Sequence, residues 1–409
     1  MKAEALQQVA EVQGLYGPFT FPEVLLQQIW RRGEFQQTAI RTTEGKALDV
    51  LHPGRWNRLG GPDFRSARLR LDGVELVGDV ELHLHAEDWA AHGHEGDPAY
   101  DAVVLHVVLF PPKSATVTRR HDGRAIPVLV LLPLLWRGLE EYAEEAAVER
   151  LAGWSPDHAT AVLARLPADE LRDLLEKHAE LRWQSKVHYA GQRLARLGWE
   201  GACQHAVLEV LGYRFNRAPM LSVAGRWSLA DWVAGRVTAE TAWAAEADRW
   251  SVQGVRPANH PRTRLRQYEA WARALADWPD RWRAVGRGLP PMPSARDATP
   301  EVRRVCGLSA LRRRLVQSLC AGVIGGTRFD NLVCDAWLPL LAAGGVGDAR
   351  GLWWHWFPGD EPDVLRSVLQ AVGVFKPRLQ PEAHGPLQGL LGWWLAREQA
   401  ESAGGGHRA

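Results

Sequence analysis

Two runs of alternating polar and apolar residues, joined by a two-residue turn, most strongly limit how this chain can fold. The runs cover residues 64–71 and 74–85, and Asp72-Gly73 separates them. An Asp-Gly pair between such runs is a strong signal for a short antiparallel hairpin. Side chains alternate between the two faces of a strand. The second run therefore places three ionisable side chains on one face, namely Glu81, His83 and His85.

The first third of the chain has further strand-like runs, whereas the remainder has helical periodicity. A helical pattern at 22–35 precedes short runs at 37–42, 47–52, 102–110 and 126–132. From about Trp136 onward, apolar residues recur at helical spacing. We therefore predict an α+β protein. Its parts are a helix-plus-β domain at 15–135, an all-α domain at 136–400 and a disordered tail at 401–409.

Composition and charge argue against several classes of protein. The net charge of +1 over 409 residues gives no overall electrostatic attraction to nucleic acid or membranes. An anionic ligand would therefore have to bind at a local patch of positive charge. The four cysteines lack the paired spacing of a zinc knuckle or a disulfide framework. No apolar run is long enough to span a bilayer, and the N-terminus lacks the apolar stretch of a signal peptide. We expect a cytoplasmic protein with no membrane partner, of unknown oligomeric state.

Asp63 and Glu81 are the first candidates for metal ligands. Asp63 lies just before the first run and Glu81 lies in the second, so the hairpin would bring them side by side. A cation that hydrolyses phosphodiesters needs hard oxygen ligands, commonly two carboxylates. His83 projects to the same side as Glu81 and would orient the nucleophile or stabilise charge. We predict a Mg²⁺ or Mn²⁺ site with Asp63, Glu81 and His83 as catalytic residues.

The Pro-Asp pair ending at Asp63, followed by Glu-Leu-His at 81–83, resembles the PD-(D/E)XK nuclease superfamily. The resemblance implies a nuclease-like N-terminal α/β domain, Glu23 on the preceding helix as a further metal contact, and DNA or RNA as partner. His83 stands where that superfamily usually has Lys, so a titratable imidazole replaces a fixed positive charge. Residues 86–101 replace the helix expected after this strand and leave room only for a short one.

Longer segments resemble the bacterial domain-of-unknown-function family 2851. They are FPEVLLQQIW, GRWNRLGGPDFRSARLRLDG, GDVELHLHAEDWAAHGHEGDPAYDAVVLHVVL and GTRFDNLVCDAWLPLL. Together they span most of residues 20–130 and one helix near 328–341. This family implies no established activity. It does mark further positions for attention, among them Asn57, Gly61, Pro62, Trp89 and Tyr100.

Five of the 15 histidines fall within 24 residues and indicate a second kind of metal site. They are His83, His85, His92, His94 and His106. With Glu81, Asp88 and Asp97 they offer ligands suited to Zn²⁺, Mn²⁺ or iron. No spacing such as HExxH is present, and His106 lies in an apolar run where a hydrogen-bonded core histidine is the alternative. Both interpretations remain open from the sequence.

A basic helix face in the second half is a candidate for contact with phosphates. Its arginines are Arg303, Arg304, Arg312 and Arg313. An ordinary solvated surface is the alternative interpretation. Most of the 20 tryptophans also lie in this half, where we expect them to pack the core rather than to stack on bases.

These features give three functional hypotheses. The first is a Mg²⁺- or Mn²⁺-dependent nuclease that acts on DNA or RNA. The second is a catalytically inactive protein of the same fold that binds nucleic acid or another partner. The third is a different metal hydrolase, built on the histidine cluster with Zn²⁺.

Overall fold

The computed structural model describes residues 9–14, 17–112, 117–151, 155–213, 215–289, 293–347, 349–376 and 379–405. The architecture is mixed α+β, with a sheet in the N-terminal part and helices in the C-terminal part, as the sequence predicted. The chain divides into two compact units, Met1–Ala143 and Glu144–Ala409. The domain limits expected from the sequence stay a prediction.

The first unit contains a two-stranded hairpin and a larger mixed sheet. The hairpin pairs β1 (Val9–Gly14) with β2 (Gly17–Pro22). The strands of the larger sheet are β3 (Ile40–Arg41), β4 (Ala47–His52), β5 (Arg55–Trp56), β6 (Phe64–Leu71), β7 (Val74–His83), β8 (Val103–Val108) and β9 (Val128–Val130). Their order is β3-β4-β6-β7-β8-β9, and β5 pairs with β6. Pairs up to β7 are antiparallel, whereas β8 and β9 join in parallel.

The predicted Asp-Gly hairpin between β6 and β7 is confirmed. Leu71 pairs with Val74 across the two-residue turn. Asp72 and Gly73 have φ angles of 46° and 84°. Positive φ at both positions is the turn geometry whose twist matches that of the flanking strands, and Gly and Asp tolerate it best. The carboxylate of Asp72 also accepts a hydrogen bond from the backbone N–H of Ala47 at 2.8 Å, which ties the turn to β4.

Strand β8 returns beside β7 after a short connection. This connection holds α2 (Asp88–Ala91) and two 3-10 turns, His94–Gly96 and Pro98–Tyr100. Gly78 allows the two strands to approach, because a Cβ atom there would lie 2.6 Å from the carbonyl oxygen of Ala102. β8 is buried along nearly its whole length, as its continuous apolar pattern predicted.

Helix α1 (Glu23–Arg32) packs against β7. It ends at Gly33, whose φ of 63° places its backbone N–H toward the last carbonyl groups of the helix. Trp30 is among the residues of its buried face. Glu23 and Gln27 are four residues apart and therefore lie on one side of the helix. This side carries the polar groups that reach the candidate site.

The second unit is helical in the part of the chain that the structure describes. Its helices are α3 (Leu139–Arg150), within which the division falls, α4 (Pro156–Leu163), α5 (Ala168–Gly212), α6 (Arg217–Arg226), α7 (Leu229–Val233), α8 (Ala239–Ala245), α9 (Pro261–Ala274), α10 (Trp278–Arg287), α11 (Thr299–Val305), α12 (Leu308–Cys320), α13 (Gly326–Asn331), a π-helix (Leu332–Trp337), α14 (Leu338–Ala343), α15 (Arg350–His355), α16 (Asp363–Ala371) and α17 (His384–Gly405). α5 is interrupted at Gly198, whose φ is 68°.

Tryptophans fill the core of this unit, as the sequence predicted. Those buried to 2% exposure or less are Trp232, Trp271, Trp278, Trp282, Trp337, Trp353 and Trp356. All four cysteines are free thiols, without the disulfide framework that their spacing argued against, and Cys320 and Cys334 are buried. Of the tail predicted to be disordered, residues 401–405 belong to α17, and 406–409 lie outside the described residues. Among the described helices, none combines the length and apolar character needed to cross a bilayer.

Candidate metal centre

Asp63 and Glu81 are adjacent at the open end of the β6–β7 hairpin, as the sequence predicted. Asp63 lies just before β6, and Glu81 lies near the end of β7. The backbone N–H of Asp63 donates to Oε2 of Glu81 at 2.8 Å. One carboxylate oxygen of Asp63 accepts a hydrogen bond from the backbone N–H of Leu82 at 3.1 Å. Asn57 fixes the preceding turn, because its side-chain amide donates to the carbonyl oxygen of Pro62 at 2.9 Å. The two acids are therefore held by backbone groups of the hairpin.

Gln27 of α1 adds a third contact to this pair of acids. Its amide nitrogen donates to Oδ1 of Asp63 at 2.7 Å. Its amide oxygen accepts from Nε1 of Trp56 at 3.1 Å. An indole N–H is a donor only, so this contact fixes which end of the Gln27 amide faces Asp63. Sequence reasoning missed Gln27, although its spacing of four residues from Glu23 was a usable signal.

Three carboxyl groups at this position carry raised pKa values. Burial, together with the charges of Asp63, Glu81 and Asp88, raises the pKa of Glu23 to about 8. Burial also raises the pKa of Glu81 to about 8. The pKa of Asp63 lies well above its ordinary value because of burial and the charge of Glu81. Burial and other carboxylates are the main influences, so the group has the electrostatics of a site that a cation would complete.

Three imidazoles meet on the other side of Glu81. Nε2 of His83 lies 3.0 Å from Nδ1 of His92. Oε1 of Glu81 lies 3.4 Å from Nε2 of His94 and 3.7 Å from Nε2 of His83. The ligand atoms of the three histidines all lie within 4.8 Å of one another. His83 and His94 are buried, whereas His92 is exposed.

A hydrogen-bonded chain supports His83 from behind. Nδ1 of His83 lies 3.0 Å from Nε2 of His106, and Nδ1 of His106 lies 3.0 Å from the hydroxyl oxygen of Thr118. The alternative for His106, a hydrogen-bonded core histidine, agrees with these contacts, because its side chain is fully buried and both ring nitrogens are engaged. Thr118 was missed, and no sequence signal marks it, since it is joined to the site only through the fold.

Aromatic side chains pack around the imidazoles. The ring of Tyr100 stacks on His94 with centroids 3.8 Å apart. Trp89 contacts the rings of His83, His94 and His106 edge-on or tilted. The Nε1–H of Trp89 donates to the carbonyl oxygen of Arg119 at 2.8 Å, which fixes the indole. This packing holds the imidazole planes in place.

The imidazoles are neutral at neutral pH. Burial lowers the pKa of His94 to about 4 and that of His106 to about 3. Burial and the neighbouring histidines lower the pKa of His83 well below its ordinary value. Neutral imidazole is the form that binds a metal ion. It is also a form without the fixed positive charge of a lysine.

Other predicted residues of this segment have separate roles in the structure. β7 ends at His83, so the predicted strand was two residues too long, and His85 stacks on Phe110 instead. Asp88 accepts a hydrogen bond from the backbone N–H of His85 at 2.9 Å, and its charge acts on Glu23 and His92. Asp97 caps a 3-10 turn through the backbone N–H of Ala99.

The four arginines predicted to bind phosphate, Arg303, Arg304, Arg312 and Arg313, do not form one free basic surface. Arg303 donates to three backbone carbonyl oxygens, including that of Glu382 at 2.6 Å. Arg304 pairs with Glu301, and Arg312 pairs with both oxygens of Asp330. A phosphate would compete with these internal partners for three of the four arginines. Their role in phosphate binding stays a prediction.

The comparisons with known proteins support a family but not an activity. The family model described as "Protein of unknown function (DUF2851)" matches residues 23–233. No curated protein and no solved structure matches the chain. The match covers just over half of the 409 residues and includes the hairpin acids and the imidazole group. The chain therefore belongs to this family of proteins of unknown function, DUF2851.

Proposed function

We propose that the protein is a metal-dependent hydrolase of phosphodiester bonds in DNA or RNA. The observation that carries the proposal is the convergence of Glu23, Asp63 and Glu81, three largely buried carboxyl groups whose pKa values are all raised. Carboxylate oxygens are the ligands that Mg²⁺ and Mn²⁺ prefer. A divalent cation bound here would favour the ionised form of all three groups and offset their mutual repulsion.

The bound cation would supply the electrophilic part of the chemistry. It would polarise a phosphoryl oxygen and lower the pKa of a bound water molecule. Backbone hydrogen bonds to Asp63 and Glu81 would hold the ligand oxygens in place while the reaction proceeds. His83 is neutral, so it would orient a ligand or water rather than supply the positive charge of the usual lysine.

A cationic and aromatic surface beside Asp63 supports an anionic substrate. The guanidinium of Arg58 lies 4.2 Å from the centre of the Trp56 ring, and that of Arg31 lies 5.3 Å from it. Gln27 links Trp56 to Asp63, because its side-chain amide accepts a hydrogen bond from the indole N–H of Trp56 and donates one to the carboxylate of Asp63. Both arginines are exposed, and guanidinium groups pair with phosphate oxygens in a bidentate manner. A phosphate backbone that contacts these arginines would pass close to the acids.

The order of elements in the first unit is compatible with a nuclease-like fold. Helix α1 is followed by the antiparallel strands β4, β6 and β7, and β8 then joins β7 in parallel. This is the order of helix, strands and further strand that the superfamily resemblance implies. Only the short α2 and two 3-10 turns lie between β7 and β8, where that resemblance implies a longer helix.

The test measures cleavage of labelled DNA and RNA by the full chain with Mg²⁺ or Mn²⁺ and with chelator. We expect cation-dependent cleavage that falls by about 10²–10³-fold in D63N and E81Q, since each removes a charged ligand at the reacting centre. D49N is the matched control, because Asp49 is an exposed carboxylate of the same sheet. Wild-type rates in D63N would overturn the proposal. Nucleic-acid binding without cleavage would favour the catalytically inactive alternative.

A further inference from the structure

The buried Nε2 atom of His94 raises a separate question. Among the residues that the structure describes, no group forms a hydrogen bond with this nitrogen, although the His94 residue is only 7% exposed. Oε1 of Glu81 lies 3.4 Å from this nitrogen, in a geometry that is not a hydrogen bond. A buried polar atom without a hydrogen-bond partner destabilises the folded state. A lone pair directed at a metal position would remove this cost.

The neighbouring atoms have the separations of ligands around one ion. Metal–nitrogen bonds of about 2.0–2.1 Å place tetrahedral neighbours about 3.3 Å apart. The separations here are 3.0 Å between His83 and His92, 3.4 Å between His94 and Glu81, and 3.7 Å between His83 and Glu81. These three separations lie on either side of the tetrahedral value, and the ligand atoms of the three histidines all lie within 4.8 Å of one another, so a cation between them would draw the ligand atoms closer.

We propose that His83, His92, His94 and Glu81 bind one transition-metal ion of the Zn²⁺ class. The ligand atoms are Nε2 of His83, Nδ1 of His92, Nε2 of His94 and Oε1 of Glu81. Three imidazoles and one carboxylate favour Zn²⁺ and its neighbours over Mg²⁺, which prefers an all-oxygen shell. The site goes beyond the proposed hydrolase and does not depend on it, although Glu81 contributes one oxygen to each.

The residues behind His83 have the arrangement of an outer ligand shell. When Nε2 of His83 binds the ion, its Nδ1 carries the proton and donates to Nε2 of His106. His106 then carries its proton on Nδ1 and donates to the hydroxyl oxygen of Thr118. Metal-bound histidines commonly donate their second N–H to such a partner, which fixes the tautomer and the ring. One set of proton positions satisfies the whole chain from the ion to Thr118.

The site also has a route for the ion to enter. His92 is exposed, while His83 and His94 lie under Trp89 and Tyr100. The ion would therefore reach the buried ligands from the His92 side. A substitution of His92 therefore changes the ligand set at its exposed edge, where His92 contacts the rings of His83 and His94.

The experiment titrates the full chain with Zn²⁺ alone after removal of metal with a chelator, and follows folding by circular dichroism. We expect one tightly bound ion per chain, which a large excess of Mg²⁺ does not displace. H92Q and H94Q should each weaken binding by more than the ~10–100-fold that loss of an outer partner causes. H85Q is the matched control and should bind as the wild type does, because His85 stacks on Phe110 outside the ligand set.

Two results would overturn this inference. One is a folded wild-type chain that binds less than one Zn²⁺ at saturation. The other is wild-type affinity in the folded H92Q and H94Q variants. Should H94Q not fold, H92Q alone decides, since His92 is exposed. Cleavage plays no part in the measurement, so failure of the hydrolase proposal and failure of this one are separate outcomes.

Discussion

The ionised carboxylate of Glu81 should lower the free energy of unfolding of the metal-free protein. A substitution that removes this charge should raise it again. The unfolded chain ionises this group with an ordinary pKa of 4.5, whereas burial raises the pKa in the folded state to about 8. The folded state therefore binds more protons between these values, and stability falls as the pH rises through this window. Each pH unit within it costs about 1.4 kcal/mol.

Replacement of Glu81 by glutamine removes this pH dependence and keeps the contacts. The amide oxygen would still accept from the backbone N–H of Asp63, and the amide nitrogen would offer a donor toward Nε2 of His94. Between about pH 6 and pH 8, the stability of E81Q relative to the wild type should therefore rise by about 1.5–2.5 kcal/mol. The lower figure allows for the interaction of Glu81 with Asp63, which divides the effect between the two acids.

Hydrogen exchange of the β7 amides in the presence of a chelator measures this difference, because it reports local opening without requiring the whole chain to unfold at once. The control is E75Q, whose site is an exposed position of the same strand. A difference in protection between E81Q and the wild type that stays constant from about pH 6 to pH 8 would refute the reasoning. Added Zn²⁺ should reverse the order by stabilising the wild type more than E81Q.

Three further predictions concern the surroundings of the site. T118V should lower the Zn²⁺ affinity of the full chain by about tenfold, measured by competition with a chelating dye, because His106 loses its acceptor. G78A should destabilise the first unit by about 3 kcal/mol, measured by hydrogen exchange of β8, because the new Cβ would lie 2.4 Å from Cγ1 of Val104. R58A should weaken nucleic-acid binding and make the slope of log Kd against the logarithm of salt concentration smaller by about one. Fluorescence anisotropy across a salt series measures this slope. Wild-type Zn²⁺ affinity in T118V, wild-type protection in G78A or a wild-type salt slope in R58A would each contradict the corresponding prediction.

The local parts of the fold could be predicted because local chemistry determines them. The Asp72-Gly73 turn requires positive φ at two positions, and few other residue pairs accept that geometry. Gly33 ends α1 for a similar reason. The adjacency of Asp63 and Glu81 follows from the hairpin register, so it could also be predicted. These inferences needed only the spacing of residues along one continuous segment.

The imidazole group could be predicted only in part, because it depends on contacts between segments. His94 reaches Glu81 and His92 reaches His83 through the fold of the connection between β7 and β8, which has no regular period. The alternating pattern of the sequence placed His85 on the same strand face as Glu81 and His83, but β7 ends at His83. Thr118 and Gln27 contact the site from other elements. Alternation along a strand predicts which face a residue occupies, but not where the strand stops.

Glu81 contacts both groups of ligands, so loss of activity in E81Q alone cannot assign the reaction to one of them. Its Oε2 accepts from the backbone of Asp63, and its Oε1 faces the imidazoles. Asp63 separates the two, because its carboxylate accepts hydrogen bonds from the side chain of Gln27 and the backbone N–H of Leu82, on the acid side of Glu81.

D63N leaves the backbone N–H that orients Glu81 in place, so it should lose cation-dependent cleavage while its Zn²⁺ affinity stays within a few-fold of the wild type. The measurement pairs the cleavage assay with the Zn²⁺ titration on the same preparation. A parallel loss of Zn²⁺ binding in folded D63N would mean that the acids and the imidazoles form a single centre. The separate acid site would then have to be abandoned, since one ion held by Glu81 and the histidines would account for both measurements.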